Sequence, residues 1–183
     1  LAKRAAEESI VLLKNEDGIL PLNPCSKITL IGDFVRTPRY QGAGSSMVNP
    51  TRLDSLADVA EAAGLNLIGY CSGYERSGKP NKAYRDEAVT QAKLADVVVL
   101  CIGLDESSES EGLDRTHICI PAVQKELLDA VVAVNKNIVA IISAGSVIET
   151  DWVEKCKAVV HGYLGGQAGA GAVMDVLTGW QNP

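Results

Sequence analysis

The sequence predicts an α/β fold: a three-layer α/β/α sandwich around a mostly parallel sheet of five or six strands. Three observations predict it. Short aliphatic runs alternate along the chain with segments of helical periodicity, and right-handed crossovers between parallel strands place helices on both sheet faces. Hydrophobic residues make up 46% of the sequence and aromatics only 4%, so Val, Ile, Leu and Ala must build the core. Strands buried on both faces read as such continuous aliphatic runs. The 183 residues suit one domain with one sizeable core, and residues 1–183 show no internal repeat or boundary.

The elements follow in order. Residues 1–15 set Ile10, Leu12 and Leu13 among Ala, Lys, Arg and Glu, which predicts a helix with one apolar face. Asp17-Gly18 ends it, and Pro21 and Pro24 keep the next link extended. A first strand spans 27–32 and a long loop spans 33–52. A helix over 54–63 is stopped by Gly64, and a second strand spans 65–70. A polar, glycine-bearing loop over 71–81 leads to a helix over 82–95, with Ala88, Val89, Ala92 and Leu94 on or near its buried side. The run over 96–103 is the third strand, and 104–120 is an acidic loop. Pro121 suits the first position of a helix reaching Val134, where its missing N–H is not needed. The fourth strand covers 137–143, followed by an Ala144-Gly145 turn and a short helical or irregular link over 147–154. The fifth covers 158–164, and the glycine-rich 165–171 opens a last helix ending at Thr178-Gly179.

Charge and composition exclude several classes. The net charge is −6 and no basic stripe exists to release counterions, so nucleic acid is not an expected partner. No apolar run approaches the roughly 20 residues of a membrane span, so no membrane partner is expected. Leu1-Ala-Lys-Arg4 starts an amphipathic segment instead of a signal peptide. The missing initiator Met and the stop at Trp180-Gln-Asn-Pro183 read as a fragment of a longer chain, in which a signal could stand upstream. The five cysteines (Cys25, Cys71, Cys101, Cys119 and Cys156) are odd in number and lack C-x-x-C spacing, which argues against a metal set and a disulfide framework. Cys71 and Cys101 fall in or beside strands, where a thiol acts as a small hydrophobe. Reduced thiols favour a cytoplasmic setting. No metal and no cofactor are expected.

Several motifs compete for the chemistry. Gln41-Gly-Ala-Gly-Ser-Ser46 lacks the Gly-Lys-Ser/Thr of a phosphate loop and the G-x-G-x-x-G dinucleotide fingerprint. It also stands about ten residues past the strand instead of at its tip, so nucleotide binding is disfavoured. Gly165-Gly-Gln-Ala-Gly-Ala-Gly171 is better placed for an anion, yet small residues there also let helix and sheet pack closely, and that reading is preferred. Ser143-Ala-Gly145 is not a nucleophile elbow, which needs G-x-S-x-G. His161 lies inside an apolar strand and reads as a satisfied core residue. His117 could line a site, but a triad would need a serine beside it.

That leaves Glu109-Ser-Glu-Gly-Leu-Asp-Arg115, directly after the third strand, where an α/β sheet opens its ligand crevice. A carboxylic acid there can protonate a leaving group if burial or neighbouring negative charge raises its pKa, and Glu106, Glu109, Glu111 and Asp114 crowd together. Arg115 could pair with Asp114 and hold the loop's shape. On spacing alone, a solvated acidic loop is the stronger reading.

Read together, the fragments resemble the second domain of family 3 glycoside hydrolases, such as β-glucosidases and β-xylosidases. The resemblance runs in order through Ala5-Ala-Glu-Glu-Ser-Ile-Val-Leu-Leu-Lys-Asn15, Gly18-Ile-Leu-Pro-Leu22, Ile28-Thr-Leu-Ile-Gly32, Gly42-Ala-Gly-Ser-Ser46, Glu109 to Arg115, Ile120-Pro121 with Gln124, and Gly165-Gly-Gln167 through Gly179. It implies a retaining exo-acting β-glycosidase whose site lies between this sandwich and a (β/α)₈ barrel of the same parent chain. The nucleophilic Asp would sit on the barrel. The acid/base Glu would come from a motif similar to S-E-G-x-D-R, which points to Glu111, with Glu109 as second choice. Gly44, Ser45 and Glu109 would contact the sugar. The expected substrate is a β-linked oligosaccharide or an aryl or alkyl glycoside, and this chain alone should be inactive. Two other readings stay open: a non-catalytic carbohydrate- or partner-binding module, and a nucleotide-binding flavodoxin-like domain.

Overall fold

A computed structural model describes all 183 residues. The strands are β1 (Val11–Asn15), β2 (Ile28–Ile31), β3 (Leu67–Cys71), β4 (Val97–Gly103), β5 (Ile138–Ser143) and β6 (Ala158–His161). The helices are α1 (Ala2–Glu7), α2 (Leu56–Ala62), α3 (Lys82–Leu94), α4 (Ala122–Val132) and α5 (Gly169–Thr178). One sheet takes the strand order β1-β6-β5-β4-β2-β3. β2 through β6 run parallel, and β1 pairs with β6 antiparallel. The α/β sandwich expected from the alternating pattern is therefore formed, with six strands.

β4 shows how the sequence makes three layers. All seven of its residues are buried, and side chains alternate between faces. Val97, Val99 and Cys101 pack with Ala6, Leu56, Ala60, Val173 and Leu177, under α1, α2 and α5. Val98, Leu100 and Ile102 pack with Ala88, Leu127 and Val131, under α3 and α4. In the ladder, Val99 stands between Leu30 and Val139. Each such fully buried aliphatic side chain contributes about 1.5–3 kcal/mol. The buried polar Thr29 is satisfied: its hydroxyl lies 3.1 Å from the Gly69 carbonyl and 2.7 Å from Gln91 Oε1.

The single helix expected over residues 1–15 is corrected. α1 ends at Glu7, and the Ser9 hydroxyl donates back to the Ala5 carbonyl at 2.7 Å. Ile10 then enters the core, and β1 pairs Val11 with His161 and Asn15 with Ala158. Four successive apolar residues, Ile10 to Leu13, do not fit one helix face, while the open edge of β6 offers a row of unpaired backbone groups.

Other boundaries shift for local reasons. β6 stops at His161 instead of reaching residue 164, because the chain turns at Gly162 and Tyr163 takes φ +51°. Pro121 stands just before α4, not inside it. The link over 147–154 closes with a 3₁₀ turn at Val153–Lys155. The loop after β2 opens with another, Asp33–Val35, which buries Phe34 and Val35.

The topology positions a crevice. All five parallel strands end on one edge of the sheet. From β2 the chain goes outward to β3, and from β4 it goes the other way to β5, although β2 and β4 are neighbours. Their loops diverge at this reversal, which is where open α/β sheets take ligands.

Candidate active site

Two loops meet across the crevice. The loop after β2 carries Arg39, Gly44 and Ser45, and the loop after β4 carries Asp105, Glu106, Glu109 and Glu111. The Glu111 amide donates to the Ala43 carbonyl at 3.0 Å. The Glu111 carboxylate accepts from the Ser45 amide at 2.8 Å and from the Ser45 hydroxyl on the same oxygen. Gly44 makes this approach possible. Its φ is +103°, and a Cβ there would stand 2.6 Å from the Glu111 Cβ. A side chain would be strained in backbone and blocked in space.

Glu111 is solvent-exposed, and the hydrogen bonds from the Ser45 hydroxyl and amide hold its carboxyl below the usual range. The expectation that acidic crowding raises its pKa is corrected, because the neighbouring carboxylates turn elsewhere. Glu109 accepts from the Gly145 amide at 3.0 Å and lies 3.9 Å from Arg39 Nη2. Glu106 lies 3.3 Å from Arg76 Nη1 and 3.8 Å from Arg39 Nε. Arg76 also donates to Asp33 at 2.6 Å and sits over the Phe34 ring.

Beneath this layer, Asp105 shapes the start of the loop. Burial pushes its carboxyl up, but hydrogen bonds from Ser108 and Ser107 outweigh it and hold the pKa below the ordinary value. Arg115 does not pair with Asp114. It donates to Ser146 Oγ at 3.0 Å, the Val147 carbonyl at 2.6 Å and the Cys119 carbonyl at 3.3 Å, tying the acidic loop to the loop after β5.

The histidines take different places. His117 is exposed and shares a groove with Ser107, Ser108 and Cys119, but the Ser107 hydroxyl and the Ser108 amide donate to Asp105 and no serine bonds to the imidazole. His161 is half-buried at the very end of β6, not in mid-strand. Its Nδ1 accepts from the Tyr163 amide at 3.1 Å, and the two rings stack 3.9 Å apart. Burial lowers its pKa, opposed by the negative charge of Glu109. In the glycine-rich turn after β6, a Cβ on Gly165 would meet Gly169 Cα at 2.8 Å, so small residues there do serve close packing. No group of three or more His, Cys, Asp or Glu side chains is arranged to hold a metal ion.

The structure thus brings Glu109, Glu111, Gly44 and Ser45 together, and sets Asp114 apart from them on the exposed part of the loop. Sequence reasoning missed Arg39, Arg76 and Asp33, and placed Glu106 only in an acidic crowd, without its arginine partners. Arg39 is the least accessible of these, with a side chain 1% exposed, and no periodicity marks it within its long irregular loop.

A mostly parallel α/β sandwich with carboxylates gathered at its strand-end crevice is the kind of α/β domain that takes ligands at that edge. Comparison gives the family. The model of the glycosyl hydrolase family 3 C-terminal domain matches residues 10–183. The chain is 48% identical to the thermostable beta-glucosidase B of Acetivibrio thermocellus, covering 100% of this chain and 25% of that one. It is 43% identical to the exo-alpha-(1->6)-L-arabinopyranosidase of Bifidobacterium breve, covering 100% and 26%. The crystal structure of a family 3 beta-glucosidase from Bifidobacterium adolescentis superposes with TM-score 0.93 at 46% identity, over 98% of this chain and 26% of that one. The chain belongs to glycoside hydrolase family 3, as its C-terminal α/β domain. It spans about a quarter of the length of the curated relatives it matches.

Proposed function

We propose that this chain supplies the acid/base carboxylate, Glu111, and part of the sugar pocket to a retaining exo-β-glycosidase acting on β-glucosides or β-xylosides. The observation that carries the proposal is the placement of Glu111: exposed at the strand-end crevice, yet fixed by Ala43 and Ser45. Glu109 is the weaker candidate, since its carboxylate is 17% exposed and turned inward to Gly145 and Arg39. Ser45 and Gly44 flank Glu111 and form the wall nearest to it.

The chemistry follows from what one carboxyl group can do. Retaining hydrolysis needs two, about 5–5.5 Å apart, one as nucleophile and one as acid then base. The nucleophile belongs to the barrel domain of the parent. The barrel carboxylate attacks the anomeric carbon while Glu111 protonates the departing oxygen. Glu111 then takes a proton from the water that releases the sugar. Held ionised by Ser45 in this domain, Glu111 becomes an acid when the barrel closes over it, bringing burial and a second negative charge. The rim also suits a partner surface: Met47, Val48, Leu113, Ile118, Val147 and Tyr163 are exposed on the loops after β2, β4, β5 and β6. The differently named sugars of the two relatives support a division of labour in which the barrel selects the sugar.

The test compares hydrolysis of 4-nitrophenyl β-glycosides by the full-length parent, its Glu111→Ala variant and this chain alone. The expected result is an active parent, a variant impaired most on poor leaving groups and partly rescued by azide, and an inactive isolated chain. A variant with full rate moves the proton to Glu109 or to another loop. Activity with no dependence on Glu111 or Glu109 leaves a non-catalytic binding module. Turnover by the isolated chain overturns the split site.

A further inference from the structure

We infer that Arg39 is a positioning residue that sets where the Glu111 carboxylate stands, by clasping the segment just ahead of it. The inference rests on Glu111 being the acid/base. Arg39 is 3% exposed, and the polar partners of its guanidinium all lie on the β4 loop. Nη2 donates to the Glu109 carbonyl at 2.8 Å and stands 3.9 Å from the Glu109 carboxylate, while Nε stands 3.8 Å from Glu106.

Stability does not account for this arrangement. The Arg39 Nε is buried without a hydrogen-bond partner. A buried guanidinium with an orphaned N–H is a poor stabiliser, because desolvation offsets much of the Coulomb gain. What the residue does achieve is geometric. Arg39 belongs to the same loop as Ala43 and Ser45, so the β2 loop grips the backbone of the β4 loop at two points, besides the Ser45 bonds to the Glu111 carboxylate. Arg39 holds the carbonyl of Glu109, and Ala43 holds the amide of Glu111. Only Ser110 lies between them. On its far side, Glu109 is pinned to the Gly145 amide at 3.0 Å. A chain fixed at the carbonyl of 109 and the amide of 111 leaves the Glu111 backbone little freedom. Removing Arg39 frees one of the two points.

An acid that must meet a leaving-group oxygen is sensitive to such slack, since a shift of about 1 Å can cost on the order of 100-fold in rate. Lysine cannot replace the clasp. A single ammonium does not span the carbonyl and two carboxylates that a planar fork reaches.

The experiment uses the full-length parent with Arg39→Gln, Arg39→Lys, Glu111→Ala and the Arg39→Gln/Glu111→Ala double variant. Each is assayed on phenyl and 2,4-dinitrophenyl β-glycosides. Arg39→Gln is expected to lower kcat/KM on the phenyl glycoside by on the order of 10- to 100-fold, with a much smaller loss on the dinitrophenyl glycoside, which needs little acid help. In the Glu111→Ala background the same change should cost no more than about twofold, because the group it positions is gone. Arg39→Lys should recover only part of the loss. Equal losses on both substrates and in both backgrounds would mean a merely structural role and overturn the clasp alone. Where Arg39→Gln does not fold, Arg39→Lys carries the same cycle with the same criteria. If Glu111→Ala shows no leaving-group dependence, the acid/base assignment fails and the clasp falls with it.

Discussion

The Ser45 amide lies 2.8 Å from the Glu111 carboxylate across the crevice, and the Ser45 hydroxyl donates to the same oxygen. The Glu111 carboxylate, the proposed acid/base, is thereby tied to the other loop by a residue that does not itself titrate. Hydrogen bonds to the ionised form lower a carboxyl pKa, so losing them raises it. In the parent enzyme, Ser45→Ala should move the alkaline limb of the kcat/KM profile to higher pH, since Glu111 stays protonated longer. A pH–rate profile of the two forms checks it, and an unmoved limb would remove Ser45 from the tuning of the acid.

Two glycines separate folding from function. Gly103 ends β4 with φ +143°, where a Cβ would lie 2.0 Å from the Ser143 carbonyl oxygen. Gly103→Ala should cost roughly 3 kcal/mol or more, as a buried backbone clash between central strands cannot relax cheaply. Gly44→Ala meets Glu111 instead, in an exposed loop. It should cost roughly 1–3 kcal/mol of stability but on the order of 100-fold in activity. Urea unfolding beside parent kinetics distinguishes the two.

Asp105 anchors the turn that begins the loop after β4, and its folded-state pKa is depressed. Such a group stabilises above its unfolded pKa, and the gain is lost as pH falls toward the folded value. Asp105→Asn should therefore lose about 1.5–3 kcal/mol at neutral pH, the range for hydrogen bonds to a charged group. The gap from the native form should narrow as pH drops below 3.8, the ordinary aspartate value. A gap that is constant with pH would show that the carboxylate charge contributes nothing.

The thiols should sort by burial. Desolvation pushes Cys71, Cys101 and Cys156 up to about 12, so their reactive thiolate form is scarce at pH 8. Cys25 and Cys119 are exposed, though a hydrogen bond to Glu149 raises Cys119. Native protein should react with iodoacetamide at Cys25 first and Cys119 more slowly, with the other three modified only after unfolding. Mass spectrometry of labelled peptides reads the order, and early labelling of Cys101 would contradict the packing around β4.

The parallel strands were legible because each is a short aliphatic run whose pattern has no competitor. β4 and β5 appear within a residue or so of their expected limits. β1 was not legible, because Ile10 to Leu13 satisfies no local rule and takes its conformation from the unpaired edge of β6. The end of β6 was misplaced for a related reason: the turn at Gly162 and Tyr163 carries no proline or Asn-Gly signal. His161 consequently moved from strand interior to strand end.

For the site, the order of residues determined that a carboxylate-bearing loop would leave the sheet at its ligand-binding edge, and the motif it resembles singled out Glu111. Which carboxylates face one another was decided only by the tertiary structure. Arg39 is separated from Glu109 by 70 residues, and Ser45 from Glu111 by 66. Local spacing predicted acidic crowding around Glu111. The fold instead distributes Glu106 and Glu109 among Arg39, Arg76 and the Gly145 amide, because β2 and β4 become neighbours only when the sheet forms. Periodicity along a chain reports which face a residue will bury. It carries no record of charges that meet across a crevice between strands distant in sequence.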